Sequence, residues 1–152
     1  MSAYPLVADL AGDSVLVVGG GAVAARRIPR LLEAGARVVL VSPVAVSDLV
    51  RLAQDGRIAW IRRRYVEGDE HGFGYVFALT DDPEVNDRIA GRRGSAPTNV
   101  ATRTSRRRIS VPAVRQMDGV TLAVACQPPD PRRSRMIADL CLSTLSGRLS
   151  GA

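Results

Sequence analysis

Short runs of β-branched apolar residues alternate along this chain with segments whose apolar side chains return every three or four positions. Residues 15–18 are Val-Leu-Val-Val, with no polar member, as expected of a strand covered on both faces of a parallel sheet. Gly19, Gly20 and Gly21 follow. A helical pattern then runs over 22–33, with Val23, Ile28, Leu31 and Leu32 at its apolar positions and Pro29 inside it as a candidate kink. Ala34-Gly35 ends that helix, and 37–41 is a second β-branched strand. The pattern goes on with a short helix over 46–54, with Ser47 or Asp48 near its cap. Strands follow at 58–61 and 75–79, and between them 62–74 reads as a polar loop. Thr80-Asp81-Asp82-Pro83 opens a helix over 84–92, with Asp near the N-terminus and Pro in the first turn. Further strands are expected at 99–100 and 120–125. A helix with apolar Met136, Ile137, Leu140 and Leu145 is expected over 132–145, after the breaker Gln-Pro-Pro-Asp-Pro. Strand–helix alternation of this kind predicts an α/β doubly wound parallel sheet.

The glycine triplet carries the first chemistry. Gly19-x-Gly21-x-x-Ala24 matches G-x-G-x-x-[GA] between a strand and a helix. The first glycine permits the tight turn, the second lets backbone approach a pyrophosphate, and the small third residue lets helix and strand pack closely. Helix N-terminal N–H groups and the helix dipole then favour the phosphates. Dinucleotide binding is therefore expected. The tip of the second strand, Val41-Ser42-Pro43, lacks the Asp or Glu that pairs with a ribose 2′-hydroxyl in NAD binders. The Ser42 hydroxyl is a weaker substitute that does not exclude a 2′-phosphate.

Composition limits the function classes. The 152 residues, 46% of them hydrophobic, suffice for one domain or one domain with an appendage. No apolar run nears the roughly 20 residues needed to span a bilayer, and the first residues lack the basic region of a signal peptide, so a soluble cytoplasmic protein is expected. Cys126 and Cys141 lack metal-ligand spacing and read as reduced, packed thiols; no metal site is expected. All 21 basic residues are arginine, for a net charge of +6. They are unevenly placed: 1–87 hold nine arginines against twelve acids, whereas 88–117 hold eight arginines and no acid. Such a block favours an anionic partner.

These motifs together carry a resemblance. The opening YPLVADLAGDSVLVVGGGAVAARRIPRLLEAGARVVLVSP resembles that of the siroheme synthase N-terminal domain, the precorrin-2 dehydrogenase family. ALTDDPEVNDRIA resembles that family's A-A-T-D-D-x-x-x-N segment. Thr98-Asn99-Val100 falls where the family has its Asn-Val-Val-Asp strand, and GVTLAVACQPPDPRRSRMIADL resembles the stretch leading into its dimerisation region. The resemblance covers residues 4–145 and implies a Rossmann-like NAD-binding domain over 1–113, with a shortened strand-helix dimerisation region over 114–152, as a homodimer. It implies oxidation of precorrin-2 to sirohydrochlorin with NAD as acceptor, NADP remaining open; some members also insert Fe²⁺ or Co²⁺. The cofactor positions it implies are Gly19, Gly21, Ala22, Val23, Pro43, Val44, Thr80 and Asp81, to which the residue reading adds Ser42.

One departure bears on mechanism. Family members carry an aspartate after the Asn-Val-Val segment, proposed for proton handling and metal insertion; counting from Asn99, that place is Thr102, with Arg103 next. Threonine is no carboxylate base near neutral pH, so the catalytic residue is unassigned. The arginine block has three readings: a solvated loop, a clamp in which Asn99, Arg103, Arg106, Arg107 and Arg108 hold the carboxylate arms of a tetrapyrrole, and a nucleic-acid patch. The last lacks interleaved aromatics and any DNA-binding motif. Asp81 and Asp82 read as helix caps, with catalytic carboxylates as the alternative, His71 as a loop histidine, and Arg26 and Arg27 as a solvated face with one of them within reach of a phosphate. The alternative to an enzyme is a non-catalytic module holding a dinucleotide or a tetrapyrrole.

Overall fold

The computed structural model describes residues 5–91, 97–100 and 109–149, with side chains up to residue 145. The chain divides into two compact units, Val7–Ser110 and a second that takes in the described residues from 111 onward.

In the first unit, strands β1 (Ser14–Val18), β2 (Arg37–Val41), β3 (Ala59–Ile61), β4 (Tyr75–Ala78) and β5 (Thr98–Val100) form a parallel sheet in the order β3-β2-β1-β4-β5. Helices α1 (Ala22–Glu33), α2 (Ser47–Gln54) and α3 (Pro83–Gly91) connect them. This is the doubly wound arrangement that the alternation predicts. Period-two alternation sends successive side chains to opposite faces. Val15, Val17, Val38, Leu40 and Phe77 join Ile28 and Leu31 of α1 and Leu49 of α2 in one core. Leu16, Val18, Val41, Val76, Ala78 and Val100 join Ile89 and Ala90 of α3 in the other. The central strand is covered on both sides, which is why Val15–Val18 are at most 2% exposed. Each such side chain contributes about 1.5–3 kcal/mol of burial.

The strand ends are level. Val18 pairs with Val41 and Ala78, Val41 with Ile61, and Ala78 with Val100, so one row crosses the sheet at its C-terminal edge. The loops that begin at residues 19, 42, 62 and 79 therefore leave from one edge.

Local departures from expectation have physical causes. α1 stays continuous through Pro29, which forgoes only its own N–H bond. It closes through Gly35 and Ala36, whose N–H groups donate to Leu32 and Leu31. The N-cap of α2 is Val46, without a side-chain cap; Asp48 pairs instead with Arg51 one turn along. The polar stretch 62–74 is built by its own side chains. Arg63 forks onto Asp69 with two bonds of 2.7 Å, Asp69 accepts the Val66 N–H, and the Tyr65 hydroxyl donates to Glu70, which is only 2% exposed. Arg27 is no solvated residue: its guanidinium lies 5.8 Å from the Phe77 ring centroid, and burial, then Arg30 and Arg26, pull its pKa below the usual arginine range.

The second unit contains a strand that periodicity did not reveal. β6 (Ala113–Met117) pairs antiparallel with β7 (Val120–Val124). Met117 faces Val120, leaving the two-residue turn Asp118-Gly119 with φ of 47° and 76°. An Asp-Gly pair between apolar residues is the signal for such a turn. Helix α4 (Pro131–Leu149) starts at Asp130, whose carboxylate accepts the N–H groups of Arg132 and Arg133 at 3.0 Å, with Pro131 in the first turn. Ala138 and Ser134 are buried, and Arg115 of β6 pairs with Asp139 at 2.7 Å. Val120, Met136 and Leu140 are exposed by 53%, 64% and 66%. Among the described residues no helix is long and apolar enough to cross a membrane.

Candidate functional site

The chain runs from β1 outward through β2 to β3, then returns to the other side of β1 for β4 and β5. A crevice at the C-terminal ends of β1 and β4 follows from that reversal, and such switch points bind ligands in open α/β sheets.

Gly19, Gly20 and Gly21 line this crevice for three different reasons. Gly19 has φ +107°, and a Cβ there would lie 2.6 Å from the Leu79 carbonyl oxygen. Any side chain would push the glycine loop away from the end of β4. Gly20 meets the other neighbour: a Cβ would fall 2.3 Å from the Val44 oxygen and 2.9 Å from the Ser42 hydroxyl oxygen. Two backbone bonds fix this approach, Gly19 N–H to Val41 and Val46 N–H to Gly20, each 2.9 Å. Gly21 has open space at its Cβ position and is exposed. It is the N-cap of α1, where no side chain caps the helix and the first turn holds no acid.

A dinucleotide fits these features. Uncapped helical N–H groups face open space over an uncovered glycine, and they suit a pyrophosphate. Ala22 and Val23 are exposed in that first turn, whereas Ala24 is fully buried, where only a small side chain lets α1 lie close to the sheet. Pro43 and Val44 are exposed at the end of β2, Val44 by 75%. Thr80 and the exposed Asp81 stand at the end of β4.

The end of β4 is held by a residue to which the sequence reading gave no role. Asn86 of α3 is fully buried. Its carboxamide oxygen accepts from the Thr80 N–H at 3.1 Å and the Thr80 hydroxyl at 2.8 Å, while its NH₂ donates to the Thr80 carbonyl at 3.0 Å. An amide on the buried stripe of a helix, beside Ile89 and Ala90, was the available signal. Of the two aspartates, Asp82 caps α3, accepting the N–H groups of Glu84 and Val85 at 2.9 and 3.3 Å.

Two expected ligand contacts are redirected. Ser42 is 5% exposed and its hydroxyl donates to the Val44 carbonyl, so it holds the β2 loop instead of offering itself to a ribose. Asn99 is 6% exposed and donates to the Ile109 carbonyl at 3.1 Å, while the Ile109 N–H donates to Thr98. Asn99 thus ties together the two ends of the arginine-rich segment rather than presenting an amide to substrate. Thr102, Arg103, Arg106, Arg107 and Arg108 lie outside the described residues. His71 is exposed in a turn, and Cys126 and Cys141 are half-buried thiols. Among the described residues no group of three or more His, Cys, Asp or Glu is placed to hold a metal ion.

Comparison with known proteins agrees with this geometry. A family model described as putative NAD(P)-binding matches residues 6–113. The chain is 32% identical over 157 residues to a siroheme synthase of Pseudomonas aeruginosa, covering 99% of this chain and 34% of that protein. It is 32% identical over 141 residues to a siroheme synthase of Neisseria meningitidis, covering 91% of this chain and 29% of that one. It thus spans about a third of the length of these relatives. A solved structure of SirC, precorrin-2 dehydrogenase, superposes with a TM-score of 0.84 at 28% identity, covering 93% of this chain and 71% of that one. With the glycine loop, the parallel sheet and the matched span in agreement, the chain belongs to the putative NAD(P)-binding family and is similar to siroheme synthases and to a precorrin-2 dehydrogenase.

Proposed function

We propose that this chain is an NAD(P)-dependent oxidoreductase that oxidises precorrin-2 to sirohydrochlorin in the cytoplasm. The observation that carries the reading is the crevice at Gly19–Gly21, where an uncapped helix start and an open glycine face the reversal point of the sheet, in a chain similar to a precorrin-2 dehydrogenase. The nicotinamide supplies the hydride acceptor. The protein's part is to hold the dinucleotide along Gly21, Ala22 and Val23, seat its adenosine end on Pro43 and Val44, and bound the nicotinamide end with Thr80 and Asp81. Oxidation moves one hydride from the substrate and releases one proton. With threonine at position 102 that proton goes to water or to another group, which slows the step by about 10²–10⁴-fold relative to a placed carboxylate without abolishing it. Arg103, Arg106, Arg107 and Arg108 belong to an acid-free block suited to the carboxylate arms of a tetrapyrrole.

The exposed Val120, Met136 and Leu140 on a hairpin-and-helix unit support a homodimer through residues 114–152, because two strands and one helix bury little apolar surface by themselves. Incubating the purified chain with precorrin-2 and either NAD⁺ or NADP⁺, and following sirohydrochlorin absorbance, tests the activity; no product above background overturns it. The threonine at the aspartate's place favours one second reading, a non-catalytic module that binds dinucleotide or tetrapyrrole. Binding of either ligand without turnover would establish that reading instead.

A further inference from the structure

Residues at the end of β2 and β3 bear on which dinucleotide this crevice takes. A preference for NAD arises where a carboxylate at the tip of β2 accepts hydrogen bonds from the adenosine ribose, and a nearby arginine instead accommodates the 2′-phosphate of NADP. Here β2 ends in Val41-Ser42-Pro43, without a carboxylate. Each polar group of Ser42 already has a partner inside the protein. Its N–H donates to Ile61 at 3.2 Å, its hydroxyl to Val44, and its carbonyl accepts the Trp60 indole N–H at 2.9 Å.

That last bond links the β2 tip to a cation. Trp60 lies in β3, and the Arg62 guanidinium sits over its ring, 4.2 Å from the centroid. Ile61 is level with Val41, so Arg62 is the first residue beyond β3 as Ser42 is the first beyond β2. Stacking uses the flat face of a guanidinium and leaves its in-plane N–H groups free to donate. Arg62 is exposed and has no carboxylate partner among the described residues, whereas the adjacent Arg63 is committed to Asp69 by a two-bond fork. The arginine that Trp60 links to the β2 tip is therefore both oriented and unneutralised.

We propose that Arg62, held on Trp60 beside the β2 tip, binds the 2′-phosphate of NADP, so that this chain takes NADP more tightly than NAD. The proposal rests on the crevice being a nicotinamide dinucleotide site. It assigns cofactor choice to a residue after β3, not to the strand tip where that choice is usually sought.

Calorimetric titration of the intact chain with NADP⁺, NAD⁺, 2′,5′-ADP and 5′-AMP tests it. NADP⁺ and 2′,5′-ADP are expected to bind about tenfold or more tighter than their counterparts without the phosphate, an advantage that falls as salt rises. Arg62→Ala is expected to remove that advantage and Arg62→Lys to restore part of it. Trp60 is the sole tryptophan, so its fluorescence gives a second readout at the site. Equal or tighter binding of NAD⁺ by the natural chain overturns the proposal, as does a phosphate advantage that survives Arg62→Ala. If none of the four ligands binds, the dinucleotide reading itself falls and the proposal falls with it.

Discussion

The side chain of Asn86 grips Thr80 at three points, taking its N–H and hydroxyl and donating to its carbonyl. The amide is fully buried on α3, and Thr80 is the residue that turns the chain away from the end of β4. The contact joins a helix on one face of the sheet to the rim of the crevice beside the glycine loop. It also explains why a polar residue is found at a core position: it supplies hydrogen bonds to backbone groups left without partners where β4 ends.

Asn86→Ala is therefore expected to cost about 2–4 kcal/mol of stability, since it leaves two part-buried backbone groups of Thr80 without this partner as well as a cavity. Denaturant titration measures this. Asn86→Asp keeps the shape but loses the donor to the Thr80 carbonyl, and it should be destabilising as well. An unfolding free energy unchanged by both variants would show that Thr80 is held by something else.

The glycines separate stability from binding. Gly20→Ala drives a methyl into the Val44 carbonyl and should destabilise the chain by about 1–3 kcal/mol. Gly21→Ala meets open space, so its stability should change by less than about 1 kcal/mol, while the methyl occupies the phosphate approach and lowers dinucleotide affinity about tenfold or more. Thermal unfolding and calorimetry on the pair check the contrast; if Gly21→Ala binds normally, the pyrophosphate does not lie over Gly21.

The cap on α3 gives a milder prediction. Asp82→Ala removes the acceptor for the Glu84 and Val85 N–H groups and should cost about 1 kcal/mol. Asp81→Ala touches no such bond and should leave stability unchanged while acting on cofactor affinity. Equal losses of stability from both would contradict the assignment of Asp82 as the cap.

Acid should loosen the 62–74 segment. The Arg63 fork and the Val66 N–H hold the Asp69 carboxylate below its ordinary pKa, against the opposing effect of its partial burial. A carboxylate whose folded pKa is depressed contributes stability that is complete above its unfolded value, near 4, and is lost as pH falls through the folded value. The thermal midpoint should therefore drop below about pH 4, and Asp69→Asn should flatten that part of the profile. The same sign holds for Asp139, held low by Arg115. An unaltered acid profile in Asp69→Asn would remove Asp69 from the account.

Much of the parallel sheet was legible in the sequence because a strand covered on both faces must be apolar at every position, and Val15–Val18 satisfies this. The glycine spacing was legible for a similar reason, as no other residue tolerates the backbone of Gly19. The hairpin strand β6 was not, because Ala113–Met117 is only half-buried and includes Arg115 and Gln116, so period-two alternation is weak there. Asp118-Gly119 was the better signal. What the sequence determined by itself was the order of elements in the parallel sheet and the glycine loop between β1 and α1, both of which depend on local backbone sterics and hydrophobic period. What only the tertiary structure decided was the use of individual polar side chains. Ser42 and Asn99 turned inward to bond backbone, Asn86 proved to be the support of the β4 loop, and Arg62 was placed beside the β2 tip. A polar side chain bonds to whatever donors and acceptors its fold brings within about 3 Å, and those neighbours come from strands and helices distant in the chain.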